Sequence, residues 1–210
     1  WKLVLSLCYW VAALALIFTF FVRNVEFPES LSQGLFSIGS AWLVFTLYMV
    51  LSLLMMDIAK FFIPVLKPFG FIVSLGFTAC LLIYGYFNYK RPDINRIDIT
   101  LEKPLEGNPI KVVAISDVHL GNGTREAQLK KFVEMINAEN PDLIIIGGDL
   151  IDNSLLPLYQ QKMEEELNQL KAPMGIYLAP GNHEYISGME ECERFLKNTP
   201  IRLLRDTIVT

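Results

Sequence analysis

One short segment constrains the fold of this chain more than any other, and it covers residues 110–121 with the sequence IKVVAISDVHLG. A run of β-branched and apolar residues ends abruptly at Asp117 and His119, which are followed by Gly121. Such a run, bounded by a turn, is typical of a buried parallel strand, and in open α/β sheets ligands bind at the carboxyl ends of the strands. Side chains two residues apart in an extended chain point to the same side, so Asp117 and His119 are candidate ligands of one metal ion.

Two further apolar runs end in the same way. Residues 142–147 (DLIIIG) precede Asp149 and Asp152, and residues 174–179 (MGIYLA) precede Asn182 and His183. Neighbouring parallel strands place their carboxyl ends side by side, so we expect these side chains to converge with those that follow the first run. Carboxylates, imidazoles and an amide oxygen suit a divalent ion such as Mn, Fe or Zn. The candidate site residues are therefore Asp117, His119, Asp149, Asn182 and His183.

Helical patterns separate these runs. Apolar residues at 129, 132, 133 and 136 have the i, i+3, i+4, i+7 spacing of one helix face, and residues 158–171 and 188–197 are further helix candidates. Residues 201–204 begin another strand, and residues 95–102 alternate apolar and polar side chains as a half-exposed strand does. Strands that alternate with helices predict an α/β fold built on a parallel sheet.

Each motif taken alone has a simpler structural explanation. An Asp after a strand often caps a helix, which would account for Asp149, and the Gly-Asn-His sequence at 181–183 could form a turn. Asp152 could support a ligand or cap the next helix, and we expect Glu184 to be structural rather than a ligand. The three motifs together, in order and at the spacing of βαβ units, indicate a functional site.

The first 90 residues are of a different kind. They hold only eight charged side chains, out of 18 basic and 22 acidic ones in the chain. Uncharged runs at 3–22, 31–56 and 69–87 are each long enough to cross a hydrocarbon core of about 30 Å, and the polar segment 57–68 between the last two is expected to be an interfacial loop. A signal peptide would explain only the first run, since two more follow. We therefore expect about three transmembrane helices in residues 1–90.

The second part, residues 91–210, is expected to form a separate soluble domain. It carries 13 basic and 19 acidic side chains without a basic stripe, so nucleic acid is not expected as a partner. The three predicted spans hold no Asp, Glu, Lys, Arg or His, which argues against a transporter or a channel.

The order of the motifs, D-x-H, then G-D-x-x-D, then G-N-H-E, resembles the calcineurin-like metallophosphoesterase family, and the apolar N-terminal helices resemble its membrane-bound bacterial branch. The resemblance covers residues 95–210 and implies an α/β-sandwich with a two-metal site. It implies that Asp117 and His119 bind the first ion, that Asp149 bridges both ions and that Asn182 binds the second. It also implies that His183 contacts the phosphate and protonates the leaving oxygen as the catalytic residue. Two such ions can clamp a phosphoryl group and activate a water for in-line attack.

The family completes its site with further histidines on later strands, whereas this chain has only His119 and His183. We therefore expect the sequence to be a fragment that lacks the C-terminal half of the metallophosphoesterase domain. We also expect this fragment alone to be inactive or poorly active.

The function that the sequence predicts is a membrane-anchored, metal-dependent phosphoesterase that hydrolyses phosphate mono- or diester bonds. Its cofactors would be two divalent ions, Mn, Fe or Zn. Its substrate would be a phosphoester, and the membrane anchor suggests a lipid-linked one. It would be a multi-pass protein of a bacterial cell membrane. The alternative is a catalytically incomplete metal-binding membrane protein with a regulatory or binding role.

Overall fold

A computed structural model describes residues 1–21, 27–100 and 109–209. The chain divides into two compact units, one formed by Trp1–Phe18 with Ser37–Glu102 and the other by Thr19–Phe36 with Lys103–Thr210. The expected strand at 95–102 is described only as far as residue 100, and the described part forms no strand. The boundary near residue 90 between a membrane part and a soluble part stays a prediction.

The described residues before residue 90 are mostly helical. It contains α1 (Lys2–Phe21), α2 (Glu29–Phe62), a 3₁₀ helix (Pro64–Phe69) and α3 (Gly70–Tyr89). Among the described residues, two helical segments are long and apolar enough to cross a membrane by length and composition, Glu29–Phe62 and Pro64–Tyr89, while Lys2–Ala15 counts as a shorter apolar helix. The prediction of about three spans therefore remains open.

The prediction of an interfacial loop over residues 57–68 is wrong for residues 57–62, which belong to α2. Helix α2 continues through Asp57 to Phe62, and the carboxylate of Asp57 pairs along the helix with Lys60 at 2.9 Å. Charged residues at i and i+3 are compatible with a helix surface, so charge alone did not mark its end. The helix ends where Pro64 disfavours a helical conformation of the preceding residue.

Small polar residues are buried on α2 and α3. Ser52 of α2 and Ser74 and Thr78 of α3 are almost inaccessible to solvent. The Thr78 hydroxyl donates to the sulfur of Met49 at 3.9 Å. Small residues at a helix surface allow two apolar helices to approach closely, which accounts for their position here.

The C-terminal part of the chain is built on a four-stranded parallel sheet in the order β1-β2-β3-β4. The strands are β1 (Val112–Ile115), β2 (Leu143–Ile146), β3 (Ile176–Leu178) and β4 (Ile201–Leu203). Ile146 at the end of β2 is aligned with Ile115 of β1 and with Leu178 of β3. The carboxyl ends of the first three strands therefore meet at one edge of the sheet, and the predicted α/β class is confirmed.

Helices connect the strands and bury one face of the sheet. They are α4 (Glu126–Ala138), α5 (Leu156–Gln160), α6 (Met163–Leu167), α7 (Asn182–Ser187) and α8 (Met189–Leu196). Alternate strand residues such as Ile144, Ile146 and Leu178 are completely buried, and they share one hydrophobic core with Leu129 of α4 and Phe195 of α8.

The opposite face of the sheet is open within the described residues. Ile145 of β2 is 42% exposed and Val112 of β1 is 46% exposed. The expectation of wholly buried strands is thus wrong for this part of the chain. A continuous apolar run shows that a strand can be covered on both faces, but it does not supply the element that covers the second face.

The helix expected over 158–171 is also corrected. The structure has two short helices there, α5 and α6, because Lys162 takes a left-handed conformation with φ 50° and interrupts the helical path. Left-handed backbone at a lysine has no marker in the sequence, since the residue types that favour it are glycine, asparagine and aspartate. The short helix α7, which carries Asn182 and His183, was not predicted.

Candidate metal centre

The loops that follow β1 and β2 are paired by backbone hydrogen bonds beyond the sheet itself. The N–H of Asp117 donates to the carbonyl of Gly148 at 3.1 Å, and the N–H of His119 donates to the carbonyl of Asp149 at 2.9 Å. The N–H of Leu120 continues the pairing to the carbonyl of Leu150 at 2.8 Å. The D-x-H segment and the G-D segment are therefore held against each other.

Three of the predicted site residues have left-handed backbone. The φ angles are 55° for Asp117, 49° for His119 and 51° for Asp149. This conformation is uncommon outside glycine, although Asp and His adopt it more often than most residues. Residues in such conformations persist where the surrounding structure imposes them, and they cluster at functional sites. The paired loops described above supply that constraint.

The left-handed backbone corrects one step of the sequence argument. Asp117 and His119 were expected to share a side because they continue an extended strand, but β1 already ends at Ile115. Their side chains nevertheless approach each other, with 4.0 Å between a carboxylate oxygen of Asp117 and Nε2 of His119. The two residues are thus neighbours for a different reason from the one predicted.

The centre of the site is formed by His119, Asp149 and His183. One potential ligand atom from each lies within 4.8 Å of the others, and all three side chains are half-buried. The two imidazole rings meet edge to face, with 4.4 Å between their centroids. The cluster unites two of the four predicted ligands with the residue predicted to be catalytic.

The other two predicted ligands are at the margin of this cluster. The side chain of Asp117 is 69% exposed and reaches the cluster through its contact with His119. Asn182 is exposed as the first residue of α7. The division of these five residues into ligands and a catalytic group stays a prediction.

Asp152 lies between the two histidines. Its Oδ1 is 3.5 Å from Nδ1 of His119 and 3.2 Å from Nδ1 of His183. Among the described residues the buried Nδ1 of His183 has no hydrogen-bond partner, so the 3.2 Å approach is a contact without hydrogen-bonding geometry. Helix α5 begins after Leu155, and Asp152 is therefore not its cap. The contacts favour the supporting role that the sequence left open.

Two glycines allow the β2 and β3 loops to touch. A Cβ atom on Gly148, whose φ is +92°, would lie 2.8 Å from the Cα atom of Gly181. A Cβ atom on Gly181 would lie 2.7 Å from the backbone nitrogen of Asp149 and would also collide with its carboxylate. Both distances are too short for real contacts, so the glycines are required by the close approach of the two loops.

Glu184 makes more contacts than the structural role predicted from the sequence required. It is completely buried, and its carboxylate accepts hydrogen bonds from the backbone of both loops. The G-N-H-E motif gave a structural role for this residue, but it did not show which segments the side chain would join.

The donor set fits a divalent metal ion. Two imidazoles and a carboxylate within reach of one another suit Mn, Fe or Zn. The buried Nδ1 of His183, which has no hydrogen-bond partner in the part of the chain that the structure describes, is a group that such a site can use. This cluster can bind a divalent ion at the carboxyl edge of the sheet, where ligands are expected in open α/β folds.

Comparison with known proteins identifies the domain that contains this cluster. The family model for calcineurin-like phosphoesterases matches residues 110–207, which include every residue of the site described above. The chain carries a calcineurin-like metallophosphoesterase domain. The family predicted from the three motifs is thus confirmed, and it points to a metal-dependent phosphoesterase, a hydrolase that generally uses divalent metals.

Several curated relatives carry the same family name. A zebrafish (Danio rerio) transmembrane protein with metallophosphoesterase domain is 37% identical over 116 residues, which are 54% of this chain and 26% of that protein. An uncharacterized metallophosphoesterase of Campylobacter jejuni is 34% identical over 137 residues, 64% of this chain and 36% of that protein. The UDP-2,3-diacylglucosamine pyrophosphatase LpxG of Chlamydia trachomatis is 30% identical over 125 residues, 54% of this chain and 38% of that protein.

The chain therefore spans only about a quarter to two fifths of the length of these three relatives. No solved structure shows a significant match to it. The apolar helices α2 and α3, together with relatives named as transmembrane proteins, indicate association with a membrane.

Proposed function

We propose that this chain belongs to a membrane-anchored phosphoesterase that hydrolyses phosphate mono- or diester bonds through a site for two divalent metal ions. The observation that carries the proposal is the cluster of His119, Asp149 and His183 inside a metallophosphoesterase domain. A phosphoester is the substrate class that this family implies.

In this proposal the residues of the chain have distinct tasks. Asp117 and His119 would hold the first ion, Asp149 would be a ligand of both, and Asn182 would hold the second. The ions, when bound, supply electrostatic stabilisation of the phosphoryl group and activation of a water. His183 holds a proton for the leaving oxygen, which is the part of a general acid.

The surrounding structure supports these tasks. The backbone N–H of His183 donates to Oδ1 of Asp149 at 2.8 Å, so the proposed acid and the proposed bridging ligand are fixed relative to each other. Asp152 contacts the rings of both histidines, and we infer that its charge helps to orient them.

A lipid-linked phosphoester is the substrate that we propose. Helices α2 and α3 are apolar enough to hold the protein in a membrane, and the Chlamydia relative is named as a pyrophosphatase of a diacylated sugar nucleotide. We propose further that the protein is a multi-pass protein of a bacterial cell membrane. After carbonate extraction of membranes at high pH, the chain is then expected in the pellet, and recovery in the supernatant would contradict the anchor.

The decisive test is hydrolysis of bis-p-nitrophenyl phosphate by the purified chain, with Mn²⁺ and with EDTA, beside the variant Asp149→Ala. Turnover that requires Mn²⁺ and is lost in the variant supports the phosphoesterase. Because this chain alone is expected to be inactive or poorly active, the regulatory or binding role would be favoured by a longer gene product, containing this sequence, that folds and binds Mn²⁺ without turnover. A longer gene product that contains this sequence is assayed in parallel, since the chain matches only part of its relatives.

A further inference from the structure

Glu184 stands between the loop after β2 and the loop after β3. Its side chain has no exposed surface. Oε2 accepts the backbone N–H of Asp149 at 2.9 Å and that of Gly181 at 2.7 Å, and Oε1 accepts the backbone N–H of Ile151 at 3.0 Å. A carboxylate removed from water is tolerated only when it is satisfied in this way, and its hydrogen bonds are stronger than those between neutral groups.

A helix cap explains only one of these three hydrogen bonds. Glu184 is the third residue of α7, and its contact with the N–H of Gly181 is the return bond of a capping box. The N–H groups of Asp149 and Ile151 belong to a different loop, 35 and 33 residues earlier in the chain. A residue needed only to cap α7 would not have to reach them.

The loop that Glu184 reaches is the one that presents Asp149. The backbone N–H of Asp149 is held by Glu184, while its side-chain Oδ1 accepts the N–H of His183 at 2.8 Å. Asp149 is also left-handed, with φ 51°, a conformation that the surroundings must impose. Each loop thus holds the other, and the three hydrogen bonds between them all involve the neighbouring residues His183 and Glu184 at the start of α7.

We propose that Glu184 is a positioning residue of the metal centre, which fixes Asp149 and the segment carrying Asn182 and His183 in the arrangement that binds metal. Glu184 itself contacts neither metal nor substrate in this proposal. The inference rests on the proposed function, because it assigns Glu184 a role in the same site.

The test compares Mn²⁺ affinity and amide hydrogen exchange in the wild-type chain and in Glu184→Gln, both purified in detergent. The glutamine keeps the size of the side chain but replaces one acceptor oxygen by an amide donor. We expect Mn²⁺ affinity to fall by roughly 10- to 100-fold, the range for residues that orient metal ligands. We also expect the amides of Asp149 and Ile151 to exchange faster than in the wild type.

Leu167→Ala is the matched control for a loss of stability alone. Leu167 is buried in α6, and its side chain takes no part in the hydrogen bonds of the site described above. Its truncation is expected to lower the melting temperature but to leave Mn²⁺ affinity and the exchange of the Asp149 amide as in the wild type, at a temperature where all variants are folded.

A second variant keeps the inference testable if Glu184→Gln does not fold. Glu184→Asp retains the charge but shortens the side chain by one methylene, so it cannot reach both loops equally well and is expected to lose Mn²⁺ affinity as well. Wild-type affinity in either folded variant overturns the positioning role, whereas a wild-type chain that binds no Mn²⁺ overturns the proposed metal centre together with it.

Discussion

The carboxylate of Asp149 and the backbone of His183 are joined directly, by a hydrogen bond of 2.8 Å from the N–H of His183 to Oδ1. The bond ties the end of β2 to the start of α7, 34 residues later in the chain. One carboxylate oxygen of Asp149 is thereby engaged within the protein and held against the backbone at the start of α7.

This bond makes Asp149→Asn a sharper test than truncation. An asparagine oxygen can still accept the N–H of His183, so the loops should stay together while the negative charge is lost. We expect Mn²⁺ affinity to fall by more than about 100-fold, beyond the range for residues that only support a ligand. Isothermal titration with Mn²⁺ measures the affinity, and circular dichroism confirms the fold. Unchanged affinity would remove Asp149 from the metal centre.

Gly181 tests the close contact between the loops without changing a charge. Its φ of −95° is accessible to alanine, so Gly181→Ala adds no backbone strain, and a loss of stability would come from the added methyl group. That group would lie 2.7 Å from the backbone nitrogen of Asp149, which has little freedom to move. We expect the free energy of unfolding to fall by about 1–3 kcal/mol, as for other overpacked sites. Mn²⁺ affinity should fall in parallel.

Gly123→Ala is the control for this substitution. A Cβ atom there would meet only the ring of Phe36 at 3.6 Å, an ordinary van der Waals contact. Both stability and Mn²⁺ affinity should remain near the wild-type values. An equal effect of the two substitutions would show that the loss at Gly181 is not due to the contact with Asp149.

The buried thiol of Cys192 predicts a pH dependence of stability. Burial raises the pKa of Cys192 above its ordinary value, and the hydrogen bond to Ser187 offsets this only in part. Above about pH 8.5 the unfolded chain loses the thiol proton while the folded chain keeps it. The unfolded state then binds fewer protons, so stability falls as pH rises toward the folded pKa, with a limiting slope of about 1.4 kcal/mol per pH unit.

Pulse proteolysis in urea at several pH values between roughly 8 and 10 measures this slope. The decrease in stability should begin near about pH 8.5, the ordinary pKa of a thiol. Cys192→Ala should flatten the dependence. Burial also raises the pKa of Tyr159, which acts in the same direction at higher pH, so the comparison with the variant is needed to isolate the thiol. An equally steep slope in Cys192→Ala would assign the dependence to other groups.

Much of the sheet could be predicted from the sequence, because each of its first three strands is an apolar run that ends in turn-forming and polar residues. What the sequence did not show is which surfaces are covered. The run LIII of β2 has the same composition on both faces, yet Ile144 is completely buried and Ile145 is 42% exposed. Burial depends on elements distant in the chain, and periodicity within four residues carries no information about them.

The composition of the site was also predictable, while its geometry was not. The motifs placed Asp149 and His183 at one sheet edge, but the left-handed backbone of Asp117 and His119 depends on pairing with the next loop. The position of Asp152 between two histidine rings likewise depends on three loops at once. Such arrangements result from tertiary contacts that residue types alone do not specify.

Asp152 provides the last prediction, because its single oxygen Oδ1 approaches Nδ1 of both His119 and His183, at 3.5 and 3.2 Å. Asp152→Asn keeps the shape of the side chain and removes the charge that restrains both rings. In the longer gene product that contains this sequence, we expect the rate of bis-p-nitrophenyl phosphate hydrolysis to fall by roughly 10- to 100-fold, the range for residues that orient metal-site histidines.

The loss in Asp152→Asn can lie in kcat or in Mn²⁺ affinity, depending on which histidine Asp152 affects more. If Asp152 acts mainly on His183, the proposed acid, then kcat should fall while Mn²⁺ affinity remains close to that of the wild type. If it acts mainly on His119, the proposed ligand, Mn²⁺ affinity should fall and excess Mn²⁺ should restore the rate. The shorter contact is with His183, so the first outcome is expected. Wild-type rates and affinity together would leave Asp152 without a role in the site.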